Sequence, residues 1–265
     1  MHRQILGTVN RCIYCRSINA PLSDEHIVPL GLGGEWILKK ASCPPCSAIT
    51  SRMELDVLRH TLSLARAKMG LPTRRKWRRC QEFPLTVKKN EKEQTLHLPI
   101  AKRPTLLLLP VFKPPAHIDK RPYEKGIEVT GMYYAWLGRE SVEEVHREFG
   151  LVNITETVTF RGSKGGFNFA RLLAKIAYGF AVAQYGIENI DDAYLLPSIL
   201  GTKDDIGRWV GCASDTELIT EPHLHQITLW LDHDEIHASI RLFASLNTPK
   251  YLVIVGHIAA HADCE

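Results

Sequence analysis

The chain has 265 residues, 45% of them hydrophobic, and a formal net charge of +4. That length holds one large domain or two small ones, and the ordinary apolar and charged fractions exclude fibrous and wholly disordered classes. The mild positive balance suits a nucleic-acid partner without requiring one.

In chain order, Met1 to Ile5 lacks the apolar core of a signal peptide, so a cytoplasmic chain is expected. Paired cysteines there bind metal more often than they form disulfides. Two such pairs follow, Cys12-Ile13-Tyr14-Cys15 and Cys43-Pro44-Pro45-Cys46. Each spacing lets two thiolates reach one ion through a tight turn, and four thiolates complete a closed structural zinc site. Such a site stabilises a unit too small to bury much apolar surface alone. Cys80, Cys212 and Cys264 lie far from the pairs and read as lone thiols.

Ser47 to Lys68 has no Pro or Gly, and Leu55, Leu58, Leu62 and Ala65 recur at helical spacing, which predicts a helix stopped by Gly70 and Pro72. Arg74, Arg75, Lys76, Trp77, Arg78 and Arg79 form the densest basic run, with cations for phosphates and an indole for stacking on a base. Strands are predicted at Leu96–Ile100, Leu106–Phe112, Ile127–Leu137 and Val152–Phe160. The run around Leu106–Leu109 is closed by Pro104 and Pro110 and is far too short to span a membrane. The stretch Gly162 to Gly166 lacks a full phosphate-loop pattern and reads as a flexible loop leading into a helix.

That helix, Phe167–Tyr185, has a broad apolar face of Phe169, Leu172, Leu173, Ile176, Phe180 and Ala183, with Gly186 as its C-terminal stop. The end reads as a meander: Ile227–Leu231, Ile236–Leu246, a turn at Asn247 to Lys250, then Tyr251–Val255. Six of the twelve histidines lie between His223 and His261, and they read as surface residues at hairpin ends rather than as a second metal site.

Between the cysteine pairs stands Asp24-Glu25-His26-Ile27-Val28-Pro29, then Leu32-Gly33-Gly34. With the four cysteines in this order, residues 10 to 60 resemble the HNH endonucleases, in the bacterial and phage branch whose ββα-metal finger is buttressed by a four-cysteine zinc. The resemblance implies that His26 is the general base that activates water. It also implies that Glu25 holds a catalytic Mg2+ or similar divalent ion, with a further ligand from the helix after the second pair. Glu54 and Asp56 are the candidates. They point about 200° apart on a helix, so only one reaches the ion; Glu54 is favoured and Asp56 stays open. The branch usually has Asn where this chain has Ser47, and serine makes one hydrogen bond where the amide bridges two.

The expected fold is α+β. An N-terminal ββα-metal finger with four-cysteine zinc spans 1–72, and a larger α+β domain of targeting, partner or regulatory role spans 73–265. The expected activity is metal-dependent phosphodiester hydrolysis in DNA. The alternatives are a zinc-stabilised module that grips nucleic acid without cutting, and an HNH nuclease acting on RNA, since stacking and phosphate contacts serve either polymer.

Overall fold

The computed structural model describes residues 4–73, 82–122, 125–138, 140–150, 153–155, 163–214 and 223–259. The basic run Arg74 to Arg79 lies outside the described residues, as do Cys80, His261 and Cys264.

Three strands open the chain: β1 (Gln4–Thr8), β2 (Ser23–His26) and β3 (Trp36–Ser42). β3 is central, parallel to β1 and antiparallel to β2, in the order β1-β3-β2. α1 (Pro44–Asp56) follows directly. It starts three residues earlier than the sequence predicts, because prolines in the first turn cost no helical hydrogen bond.

The single helix expected to Lys68 is broken. A π turn spans Val57–Thr61, and α2 covers Ser63–Lys68. The buried residues show why. Cys46, Thr50, Met53 and Val57 follow one helical stripe, whereas Leu58, Leu62 and Ala65 continue it one residue later. A π turn inserts that one residue and returns the apolar side to the core. Leu55, expected on the packed side, is instead 43% exposed.

β4 (Glu82–Lys89), β5 (Lys92–Pro99) and β8 (Asn153–Thr155) form a small sheet. β6 (Thr105–Phe112) pairs with β7 (Val129–Leu137), and α3 (Glu140–Phe149) lies between β7 and β8 in sequence. Of these, β4 and α3 are not foreseen from the sequence, and the same holds for β1. α4 (Ser163–Tyr185) begins inside the glycine-rich stretch read as a loop. Gly186 ends it at a φ of +83°, its amide bonded to Val182 O. After α4 come β9 (Ile190–Asp192), α5 (Leu196–Leu200), α6 (Ile206–Trp209) and β10 (Val210–Cys212). β11 (His225–Asp232), β12 (Glu235–Leu242) and β13 (Tyr251–Ile258) then form the meander, in a sheet ordered β10-β13-β12-β11 with β9 also on β13. No helix of the described residues is long and apolar enough to cross a membrane.

One hydrophobic cluster runs through the chain from Cys12 to Val255, across position 72. α4 lies at its centre: Phe169, Ala170, Leu172, Leu173, Ala174, Ile176, Ala177, Tyr178 and Ala181 are all fully buried. Small residues on several sides of the helix let it be covered all round rather than on one face. A satellite cluster of Leu85, Val87, Leu96 and Val145 joins β4, β5 and α3.

The loop after β2 is held from two directions. Leu30–Leu32 makes one 3-10 turn, Gly33 has a φ of +82°, and a Cβ at Gly34 would lie 2.0 Å from Val28 O. Arg66, buried in α2, donates to Gly31 O, Leu58 O and Pro72 O. From the other side His225 Nε2 donates to Leu32 O at 2.7 Å, while its Nδ1 accepts the Phe243 amide at 3.2 Å. These partners define a neutral tautomer. Burial pushes the His225 imidazolium below its ordinary value of 6.5, against a smaller opposite pull from Leu32 O.

With a folded-state value below the unfolded one, the unfolded chain takes up the proton first as pH falls. The His225 contribution is therefore complete above pH 6.5 and is lost as pH drops below it. Urea denaturation between pH 7.5 and 5 is expected to show this loss, and His225→Gln, which does not titrate, is expected to show a flatter profile. Equal slopes would contradict the assignment.

Candidate metal centre and buried carboxylate pair

The four cysteines converge as their spacing predicts. Cys12 and Cys15 lie in the turn after β1; Cys43 is the residue before α1, and Cys46 is in its first turn. Their sulfur atoms all lie within 4.8 Å of one another. Cys15 Sγ is 3.6 Å from Cys43 Sγ, too far for a disulfide. A tetrahedral zinc with bonds of about 2.3 Å sets sulfur–sulfur edges of about 3.8 Å, so the set fits such an ion and could hold it. Cys12, Cys43 and Cys46 are buried and Cys15 is exposed. Burial pushes the Cys43 and Cys46 thiols up, and a divalent ion is what would keep them as thiolates. Among the described residues no other set of three or more histidine, cysteine and acidic side chains is clustered this closely.

Away from the sulfurs, the two carboxylates Glu25 and Glu54 meet a third residue that their local sequence does not predict. Glu25 on β2 is buried, and Glu54 reaches toward it from the last turns of α1. Between them stands Lys175 of α4, 1% exposed. Its Nζ is 2.7 Å from Glu25 Oε1 and 2.9 Å from Glu54 Oε1. It also donates to the backbone carbonyls of His26 and Ile27. Burial alone would push the Lys175 ammonium down; the Glu25 and Glu54 charges outweigh it and lift the group to about 12. Tyr14 is buried beside the same carboxylates, and burial, then the two charges, push its phenol well above the ordinary value. It stays neutral.

The remaining site residues are placed differently. His26 is half-buried at the end of β2, next to Glu25, where the register with β3 shifts between Ser23 and Glu25. Asp56 does not join Glu25: its Oδ2 accepts from Asn168 at 2.8 Å and its Oδ1 pairs with His60 Nδ1 at 2.9 Å. Ser47 sits in the first turn of α1, its amide on Cys43 O and its carbonyl accepting the Thr50 hydroxyl.

A divalent ion prefers oxygen ligands at about 2.0–2.1 Å for Mg2+. Glu25 and Glu54 offer such oxygens, but with Lys175 between them at hydrogen-bond distance the expected catalytic ion does not fit. The only hint of Lys175 in the sequence is a lysine three residues after Leu172 and next to Ile176, within the apolar run from Leu172 to Val182.

Two further groupings lie apart from this pair. A cleft of about 260 Å³ is lined by Lys113, Arg121, Lys125 and Arg208 together with Glu128, where Lys113 pairs with Glu128 at 2.6 Å. The histidines near the end are not all surface residues. His225 and His237 are buried to different degrees, and Glu235 joins His237 at 2.7 Å and His117 at 2.9 Å. His233 does lie at the β11–β12 hairpin turn, exposed.

Comparison of the chain with models of known protein families, with curated proteins and with solved structures gives no match.

The purified chain is expected to carry about one zinc, and Cys43→Ser to lose it. Since metal and folding are coupled, the variant should melt lower by more than about 10 °C, at about 2–4 °C per kcal/mol for a chain of this size. Zinc content by mass spectrometry and thermal melts check this; a metal-free wild type with the same melting point would contradict it.

Proposed function

We propose that the chain is an endonuclease of the HNH type that hydrolyses phosphodiester bonds in DNA. The observation that supports it most is that Glu25 on β2, next to His26 in the chain, meets Glu54 on α1 across Lys175, in a strand–strand–helix unit whose β3–α1 junction carries two of the four clustered cysteines. In this reading β2, β3 and α1 are the ββα-metal finger, and the zinc is structural.

His26 is the general base. A neutral imidazole near pH 7 takes the proton of a water as its oxygen attacks phosphorus and the bond to the leaving sugar oxygen breaks. The carbonyl of His26 is gripped by Lys175, which fixes the backbone from which the ring projects. Because the ion does not fit beside Lys175, phosphate charge is met by the chain's own cations. The run Arg74, Arg75, Lys76, Arg78 and Arg79, with Trp77 to stack, and the cleft of Lys113, Arg121, Lys125 and Arg208 are the groups assigned to polymer contact.

The sealed carboxylate pair also favours a second reading, a zinc-stabilised module that grips nucleic acid without cutting. Ser47 in place of the usual Asn points the same way.

Supercoiled plasmid and single-stranded RNA incubated with the zinc-loaded chain, with Mg2+, with Mn2+ and without either, separate the readings. Nicking of the plasmid is expected, and His26→Ala should lower it by about 10²–10⁴-fold with zinc content and melting point unchanged. Retention of DNA in a gel without cleavage in any condition would favour the binding module. Cleavage of RNA alone would move the substrate assignment.

A further inference from the structure

Four oxygens surround one buried point: Glu25 Oε1, Glu54 Oε1 and the carbonyls of His26 and Ile27. An all-oxygen set with two carboxylates is what a hard cation selects. The chain fills it with its own ammonium, whose three N–H groups face four acceptors and have none to spare. The elements that bring these groups together are separate in sequence: β2, α1 and, more than a hundred residues later, α4. The helix is fixed where it stands. Tyr178, one turn further on, donates to Ile13 O at 2.7 Å, Asn168 holds Asp56, and Gly179 lies against Ile27.

We propose that Lys175 is the resident cation of this oxygen site, holding Glu25, Glu54 and the His26 backbone in register in place of a divalent ion. The wild-type chain then binds no such ion between Glu25 and Glu54. In giving Lys175 a positioning role toward His26 the proposal rests on the nuclease reading; its binding consequence does not.

The test is Mn2+ titration of the full-length, zinc-loaded chain, followed by electron paramagnetic resonance and by thermal melting. Wild type and Glu54→Gln are expected to take up the same small amount of Mn2+, with the wild-type melting point unmoved. Lys175→Met removes the charge at similar volume and leaves two facing carboxylates. It is expected to gain one saturable Mn2+ site per chain and to melt higher when Mn2+ is added. Adding Glu25→Gln and Glu54→Gln to that variant should abolish both effects.

Saturable Mn2+ binding by the wild type that Glu54→Gln removes would overturn the proposal, and this arm needs no Lys175 variant to fold. A folded Lys175→Met chain that binds no Mn2+ would overturn it as well. The two readings fail separately. No cleavage under any condition, with the Mn2+ results as expected, sinks the nuclease and keeps Lys175 as the cation. Cleavage that needs an ion bound through Glu54 does the reverse.

Discussion

The contact between Lys175 and the carboxylates of Glu25 and Glu54 governs how the rest of the chain is arranged. Each partner would be costly to bury alone. A lone ammonium or carboxylate in the interior is neutralised or strongly destabilising, and removing one member of a buried set leaves its partner uncompensated. The helix that brings Lys175 must therefore lie against β2 and α1 within hydrogen-bond tolerance. Once it does, its small residues decide how closely the other layers approach. Tyr178, Asn168 and Gly179 then secure the same side of the helix against the N-terminal segment.

Local spacing was readable from the sequence and long-range placement was not. Two close cysteine pairs define a tetrahedral sulfur set almost by geometry, and the structure brings the four sulfurs together. The long helix ending at Gly186 was equally plain, because its apolar residues recur over many turns. The interruption at Val57–Thr61 was hidden. A one-residue shift in the buried stripe leaves a sequence that still looks periodic, and Leu55, which that period places on the packed side, is exposed. Lys175 was hidden for a different reason: nothing near it in sequence says that two carboxylates wait for it across the core. His225 shows the same limit, since its value as a neutral bridge between Leu32 and Phe243 depends on partners far apart in the chain.

The loop from Pro29 to Gly34 is where these constraints meet. It is closed by backbone too tight for a side chain at Gly34, held by Arg66 from α2 and by His225 from the last sheet. His26 lies just before it. In the proposed function such anchorage leaves the backbone of a general base at His26 few ways to move. The four cysteines lie at the other end of β3 and α1, at the junction between the two elements.

The span of the single core also has a bearing on how the chain is made. Glu54 leaves the ribosome well before Lys175, by roughly 6–24 s at synthesis rates of about 5–20 residues/s. Through that interval the nascent N-terminal segment carries two acids with no ammonium to meet them and lacks the helix that will cover its apolar side. The cysteines, in contrast, are all present early and can take metal at once. A metal taken by those four sulfurs would tie the turn after β1 to the junction of β3 and α1 before α4 arrives to close the interior.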